Sequence, residues 1–210
     1  MAERRIREIY DNQARTCGGG ACGALDGFLM GRLRKRALRA ARGEVLEIGI
    51  GLGASLPHYP PGCRITGVDL SPGSIERARA RARNLGLEAE LHVGDAQALP
   101  FADARFDTCV SQLCLCTVPD PLAALRELRR VCRPDGLVLL LEHTTSTNAL
   151  LSPLCRLCGP LLTATVACHP NRPVECLVAA SGLTVQGVDR RFAGVFRLIR
   201  ATPYAGEQAD

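Results

Sequence analysis

The chain has 210 residues, of which 47% are hydrophobic and 22% charged, and its formal net charge is +5. This length supports one sizeable core but not two comfortable domains, and this composition excludes disordered and fibrous chains. A membrane-spanning helix is disfavoured, because no 18-residue stretch is free of charges and helix breakers.

The positive charge is concentrated near the N-terminus. Residues 1–42 contain ten Lys and Arg against four Asp and Glu, so their net charge is +6 and that of the remainder is −1. Within this region, residues 24–41 have the periodicity of a basic amphipathic helix. Such a helix either presents a solvated face or contacts an anionic membrane surface.

Eleven cysteines are a high count for this length. The opening residues, MAERRIREIYDNQ, lack the apolar segment of a secretion signal, so we expect a cytoplasmic protein, peripheral to a membrane at most, with reduced thiols. Cys109, Cys132 and Cys176 lie in apolar patterns and are predicted to be small core residues.

Predicted strands and helices alternate along the chain. The strands lie at 43–49, 63–70, 89–95, 106–113, 137–143, 184–191 and 194–202. The helices lie at 71–86, 120–132 and near 172–181. Ser71 and Asp120 are the predicted N-caps of the first two, each followed by a proline at the first helical position. Residues 133–136, RPDG, predict a turn before the fifth strand.

This alternation predicts a parallel sheet with helices on both faces. The last two strands are joined by too few residues for a parallel crossover, so the last strand should run antiparallel. We therefore expect an α/β fold with a doubly wound, mostly parallel seven-stranded sheet. In such sheets ligands bind beyond the carboxyl ends of the strands, where the strand order reverses.

Three acids and a glycine loop are expected at that edge. Glu47 lies two residues before Gly49 in the loop GIGLGA, Asp69 ends the second strand, and Asp95 follows the third. The loop alone also fits a dinucleotide site, and so does Asp69. The acid before the glycines favours a ligand with a positive charge instead. A pyrophosphate would be repelled by this cluster, whereas an adenosine bearing a sulfonium amino acid would not.

At this point the chain resembles the class I S-adenosylmethionine-dependent methyltransferases, with their Rossmann-like fold. The segments VLEIGIGLG, GVDLS, GDAQALPF, FDTCVSQL and LRELRRVCRPDGLVLLLEH occur in the order and spacing of that family. The resemblance covers about residues 5–200 and implies S-adenosyl-L-methionine as cofactor. It assigns Glu47, Gly49, Gly51 and Gly53 to the methionine half, Asp69 with Leu70 to the ribose, Asp95 and Ala96 to the adenine, and Gln112 to the edge near the methyl group.

The N-terminal segment IREIYDNQA is similar to the one that opens the ubiquinone-methyltransferase-like branch, where it folds over the cofactor. The resemblance therefore makes Tyr10 a lid residue, residues 1–42 a basic helical lid, and 43–210 the methyltransferase domain. The segments LCLCTVPDP, LEH and CHPNR are similar to a sub-branch with alkyl-thiol S-methyltransferases and mitochondrial inner-membrane methyltransferases. Bacterial phosphatidylethanolamine N-methyltransferases are somewhat further off.

The acceptor side is less defined. His143, at the end of the fifth strand, is a candidate general base or a strand-end cap. Leu113, His169 and Asn171 are candidate substrate contacts, and helix capping is the plainer role for the last two. An insertion near 148–171 is apolar, which favours an apolar acceptor such as a thiol. The same stretch could instead cover the core or dip into a membrane surface.

Several alternatives stay open. The acceptor could be phosphatidylethanolamine at a membrane surface, or arsenite bound through Cys114 and Cys116, and a non-catalytic cofactor-binding assembly protein could share this fold. We expect no bound metal, since the pair Cys155 and Cys158 is only half of a zinc site. We expect no nucleic acid partner, because no basic stripe with interleaved aromatic residues occurs. Nothing in the sequence sets the oligomeric state.

Overall fold

The structure is a computed structural model that describes residues 2–16, 30–144, 146, 157, 160, 163–165 and 167–204. Most of the predicted apolar insertion near 148–171 lies outside the described residues. The first part of the predicted basic helix, 24–29, also lies outside them.

Seven strands form one sheet in the order β3-β2-β1-β4-β5-β7-β6. Neighbouring strands are parallel except that β7 runs antiparallel to both β5 and β6. The predicted mostly parallel sheet with an antiparallel last strand is confirmed. The strands are β1 Glu44–Ile48, β2 Arg64–Asp69, β3 Ala89–Val93, β4 Phe106–Gln112, β5 Cys132–His143, β6 Thr184–Arg191 and β7 Phe196–Thr202.

Five helices and one 3₁₀ turn accompany the sheet in the described residues. They are α1 Ala2–Thr16, α2 Gly31–Leu38, the turn Leu56–His58, α3 Pro72–Asn84, α4 Pro121–Val131 and α5 Val174–Ala180. The predicted caps are confirmed: Ser71 Oγ accepts from the Ser74 N–H, and the Asp120 carboxylate accepts from two N–H groups at the start of α4. These caps begin α3 and α4 directly behind β2 and the β4 turn.

The centre of the sheet is buried on both faces. Val45, Leu46 and Ile48 of β1 have no exposed surface, as expected of a strand that lies between two parallel neighbours. Edge strands differ, since β6 is mostly exposed or half-buried. Replacing Leu46 by Ala would cost about 2–5 kcal/mol of stability, the usual range for a buried leucine.

Three local predictions are corrected. Residues 133–136 lie inside β5 as an irregularity: Phe106 pairs with Cys132 and Thr108 with Leu137, so three extra residues are accommodated there. Cys109 and Cys132 are buried as predicted, but Cys176 is exposed because it lies on the outer face of α5. Helix α5 begins at Val174 behind Pro173, which is too late for Asn171 to be its N-cap.

Candidate active site

A cavity opens at the carboxyl edge of the sheet, where the strand order reverses between β1 and β4. The space between its walls is about 680 Å³, open solvent included. Loops after β1 to β4 form its wall together with helix α1. The lining residues are Ile6, Arg7, Tyr10, Gly49, Gly51, Val68, Asp69, Leu70, Ser71, Gly94, Asp95, Ala96, Gln97, Leu113, Cys114, Thr117, Val118 and Pro119.

The Asp69 carboxylate is held in place by backbone groups. Its Oδ2 accepts the Gly51 N–H and its Oδ1 accepts the Ser71 N–H, both at 2.9 Å. Burial raises the pKa of Asp69, and these two hydrogen bonds oppose the rise. Because a carboxylate offers more lone pairs than two bonds use, Asp69 is able to accept further bonds from hydroxyl groups in the cavity.

The glycines of the loop serve different contacts. Gly49 has φ +64°, and a Cβ there would come within 2.4 Å of Cys114 Sγ. Gly51 has φ +54°, lines the cavity, and its Cβ would meet nothing but backbone at 4.0 Å. Gly53 packs on Leu56 and Ala78 instead of lining the cavity. A side chain at Gly51 would therefore take up ligand space, whereas one at Gly49 would displace the turn after β4.

Glu47 is buried behind the glycine loop and is not among the described residues that line the cavity. It is 1% exposed, and its Oε2 accepts from Ser55 Oγ at 2.5 Å and from Tyr59 Oη at 2.9 Å. Burial raises the pKa of Glu47 to about 7, although both hydrogen bonds lower it. The protein thus keeps an acid with a near-neutral pKa directly behind the predicted methionine half of the site.

The Asp95 carboxylate accepts hydrogen bonds from Gln97, a residue that was not predicted to belong to the site. The Gln97 side-chain amide donates to both Asp95 oxygens at 2.9 and 3.0 Å, and the Gln97 N–H donates to Oδ1. Leu70, Asp95, Ala96 and Gln97 all line the cavity. An adenine amino group that approached Asp95 would share this acceptor with Gln97.

Gln112 is the last residue of β4 and is not among the described residues that line the cavity, whereas Leu113, the next residue, does line it. The Gln112 amide is buried, and neither its nitrogen nor its oxygen has a hydrogen-bond partner among the described residues. A buried amide without a partner is costly, so this group is suited to a polar ligand atom. Leu113 lines the cavity and has φ +56°.

Helix α1 covers the cavity. Ile6, Arg7 and Tyr10 line it, and the Tyr10 side chain hydrogen-bonds that of Thr117 in the turn after β4. Asp11 anchors the helix on the start of α3, because its Oδ1 accepts from Ser71 Oγ at 2.5 Å and from the Gly73 N–H at 3.0 Å. The helix is therefore attached to both sides of the cavity.

The other predicted residues lie apart from the cavity lining. His143 Nε2 is 3.2 Å from Cys168 Sγ, so this candidate base contacts a thiol of the protein. His169 and Asn171 are exposed, and the His169 N–H donates to the Cys116 carbonyl at 2.8 Å. Burial alone would lower the pKa of His143, but the hydrogen bond and charge of Cys168 raise it.

Three neighbours of the site were not predicted from the sequence, namely Gln97, Thr117 and Cys168. Gln97 stands two residues after Asp95, and Thr117 stands in the segment LCLCTVPDP, so both were within motifs already quoted. Cys168 begins the quoted segment CHPNR, but its contact with His143, 25 residues earlier, could be found only from the tertiary fold.

Comparison with known proteins agrees with this geometry. A family profile described as a methyltransferase domain matches residues 46–140. A phosphatidylethanolamine N-methyltransferase of Cereibacter sphaeroides is 41% identical over 50% of this chain and 53% of the relative. The human thiol S-methyltransferase TMT1B is 37% identical over 51% of this chain and 46% of the relative. The chain thus spans about half the length of these two curated relatives.

The fold has solved counterparts among methyltransferases. The structure of geranyl diphosphate C-methyltransferase from Streptomyces coelicolor A3(2) superposes with a TM-score of 0.71 and 14% identity, covering 96% of this chain and 98% of that one. At this identity the likeness concerns the fold alone, which is the Rossmann-like methyltransferase fold. Across the part of the chain that the structure describes, no helix combines the length and apolarity that crossing a bilayer requires.

Proposed function

Because this chain carries a class I S-adenosylmethionine-dependent methyltransferase domain, we propose that it transfers a methyl group to a small, apolar thiol. The observation that carries the proposal is one cavity that joins a backbone-held carboxylate, Asp69, to an apolar wall. Ile6, Leu113, Val118 and Pro119 supply much of that wall. A neutral, hydrophobic acceptor fits such a wall better than a charged metabolite does.

The residues present fit the cofactor. Asp69 would accept the ribose hydroxyls, Gly51 would leave room beside them, and Asp95 with Ala96 would hold the adenine. The Gln112 amide, which has no hydrogen-bond partner among the described residues, would face the polar atoms near the methyl group. Glu47 would supply negative charge behind the amino-acid part. When bound, S-adenosyl-L-methionine supplies a methyl group that its sulfonium already activates for displacement.

The chain's own task is therefore positioning and exclusion of water. Tyr10 and the rest of α1 would close over the cavity, and the apolar wall would hold the acceptor sulfur near the methyl group. A thiol has a reference pKa near 8.5, so a few per cent is already thiolate at pH 7. We expect the rate to rise between about pH 7 and 9 as the thiolate fraction grows.

A second candidate is N-methylation of phosphatidylethanolamine at a membrane surface. The 41% identity to an enzyme with that name favours it. So does helix α2, which carries Arg34, Lys35 and Arg36 in one run. The thiol remains the first choice because the described residues that line the cavity include no carboxylate to attract an amine besides Asp69 and Asp95, both of which the proposal assigns to the nucleoside.

Methyl transfer from labelled cofactor to alkyl and aryl thiols, phosphatidylethanolamine vesicles and arsenite tests these assignments. We expect labelled thioethers from the thiols. Labelled lipid with unlabelled thiols would replace the thiol by the second candidate. Cofactor binding without transfer to any acceptor would instead indicate a non-catalytic cofactor-binding protein.

A further inference from the structure

Three potential metal ligands converge beside the cavity. Cys116 Sγ, a nitrogen of His143 and Cys168 Sγ all lie within 4.8 Å of one another. Cys116 is in the turn after β4, His143 is the last residue of β5, and Cys168 precedes α5. Cys116 is buried and the other two are partly buried. Two thiols and one imidazole from three segments that are distant in the sequence thus lie close together.

The backbone around this cluster is tied together by hydrogen bonds. The His169 N–H donates to the Cys116 carbonyl at 2.8 Å, and Arg172 Nη1 donates to the Val118 carbonyl at 2.6 Å and to that of Leu115. Thr144 Oγ1, next to His143, donates to the Arg172 carbonyl at 2.7 Å. The loop with Cys168 is therefore held against both of the segments that carry the other two ligands.

Backbone strain is found beside two of the ligands. Leu113 and Ala167 both have positive φ, 56° and 53°, although neither is glycine. Leu113 opens the turn that leads to Cys116, and Ala167 directly precedes Cys168. Non-glycine residues keep this left-handed backbone conformation only where the surrounding structure constrains them, and such residues cluster at functional sites.

We propose that Cys116, His143 and Cys168 bind a thiophilic divalent cation of the zinc class. Two thiolates and an imidazole are a zinc-type ligand set. Arsenite prefers sites made of thiolates alone, whereas this set includes an imidazole. Among the residues that the structure describes, three ligands converge instead of four, which leaves one coordination position of this cluster open, as in catalytic zinc sites. Cys114 and Thr117, two residues before and one residue after Cys116, line the cavity, so the cluster lies beside it, and the proposal places the open position on the cavity side.

The open position gives the cation a role that rests on the proposed function. An acceptor thiol would form a metal–sulfur bond there and release its proton to solvent, because coordination deprotonates a thiol outright. A lone pair of that sulfur would then form the bond to the methyl carbon. The bond from this carbon to the sulfonium would break, and its electron pair would stay on the donor sulfur. The product thioether is neutral and a weaker ligand, so it would leave.

Cobalt substitution of the full chain tests metal binding without reference to activity. After removal of bound metal by a chelator, we expect about one equivalent of Co²⁺ to give the thiolate charge-transfer and visible bands of a tetrahedral site. Cys116→Ser, Cys168→Ser and His143→Ala should each weaken binding by more than about a hundredfold, which exceeds the loss seen when only an orienting side chain is removed. Cys176→Ser, which removes an exposed thiol outside the cluster, should bind like wild type.

A second measurement uses the wild-type chain alone and so does not depend on folding of the variants. Bound Zn²⁺ should protect Cys116 and Cys168, but not Cys176, from alkylation, as read by peptide mass spectrometry. Absence of cobalt bands, equal alkylation of Cys168 with and without Zn²⁺, or a Cys116–Cys168 disulfide in the native protein would each overturn the site.

Two further outcomes distinguish binding of the cation from its role in catalysis. Metal bound as described but no thiol methylated would defeat the proposed function and leave the site intact. Thiols methylated at an unchanged rate after chelation would defeat the catalytic role of the cation while the proposed function stood.

Discussion

At Asp69, two backbone N–H groups occupy the carboxylate oxygens and aim the remaining lone pairs into the cavity. We expect Asp69→Ala to weaken S-adenosyl-L-methionine about ten- to hundredfold, because hydrogen bonds to a charged group contribute roughly 1.5–3 kcal/mol. Titration calorimetry measures this change. Asp103→Ala, which removes an exposed acid paired with Arg130, is the matched control, and equal affinities in the two folded variants would remove Asp69 from the site.

Glu47 should make stability depend on pH. Its pKa is about 7 in the folded protein against 4.5 ordinarily, so the folded state holds the proton more tightly. Stability from this group is therefore full below about pH 4.5 and is lost as the pH rises to about 7. The shift corresponds to at most about 3 kcal/mol.

Comparison with Glu47→Gln isolates that contribution. We expect the free energy of unfolding of wild type, relative to the variant, to fall between these two pH values and to level off above pH 7. Urea unfolding at a series of pH values measures it. Parallel curves for the two proteins would show that Glu47 ionises normally.

At the scale of the element, helix α1 depends on Asp11. Burial alone would raise the pKa of Asp11, but the hydrogen bonds from Ser71 and Gly73 outweigh it, so the pKa is lowered. A lowered pKa means that docking of the helix is favoured above the ordinary aspartate range and is lost as the pH falls below about 4.

Asp11→Ala should therefore release α1 at neutral pH. We expect its backbone amides to exchange hydrogen about tenfold faster or more, because a charged hydrogen-bond acceptor is removed. Hydrogen-exchange mass spectrometry measures this rate. Glu8→Ala removes an exposed acid of the same helix that pairs only with Arg4 among the contacts described here, and a similar acceleration in that variant would contradict the role of Asp11.

The elements were predictable where a local signal sets them. Ser71 and Asp120 were identified as caps because a helix start needs a side-chain acceptor, and both accept such bonds. The irregularity in β5 was not predictable from the sequence. Pro134 and Gly136 favour a turn locally, but the segment lies in the sheet because β5 pairs with β4 on both sides of it. The exposure of Cys176 likewise depends on which face of α5 meets the core.

At the scale of the whole molecule, the basic residues of α2 either form a solvated face or contact an anionic membrane, and salt distinguishes the two if the helix does bind a membrane. Binding to anionic vesicles should weaken as salt rises. Replacing Arg34, Lys35 and Arg36 with Gln should reduce it by up to about a hundredfold at low salt, at roughly 1 kcal/mol per charge. Sedimentation with vesicles measures it. Gln at Arg77, Arg81 and Arg83 of α3 gives the same change in net charge, and an equal loss there would leave only a general charge effect.

Sequence patterns could not predict which residues that are distant in the sequence meet at the site. Glu47, Asp69 and Asp95 follow neighbouring strands, so parallel topology alone predicts that they share one edge, and Asp69 and Asp95 line the cavity. Whether Glu47 lies in front of or behind the glycine loop depends on the packing of Ser55 and Tyr59. Cys116, His143 and Cys168 meet only because the segment before α5 folds back over the β4 turn, which no local spacing encodes.

The antiparallel pair β6–β7 has a consequence for how the chain folds. Only Phe192–Val195 join these two strands, and three consecutive residues there, Phe192, Ala193 and Gly194, have positive φ. The other strand pairs described here bring together segments that are separated by a crossover or by a whole intervening unit. Closing such long loops costs conformational entropy before the strands pair and stabilise the contact. We therefore expect the C-terminal hairpin to form on the microsecond scale of isolated hairpins, well before the rest of the sheet. Strand β7 would then pair with β5 in a later step.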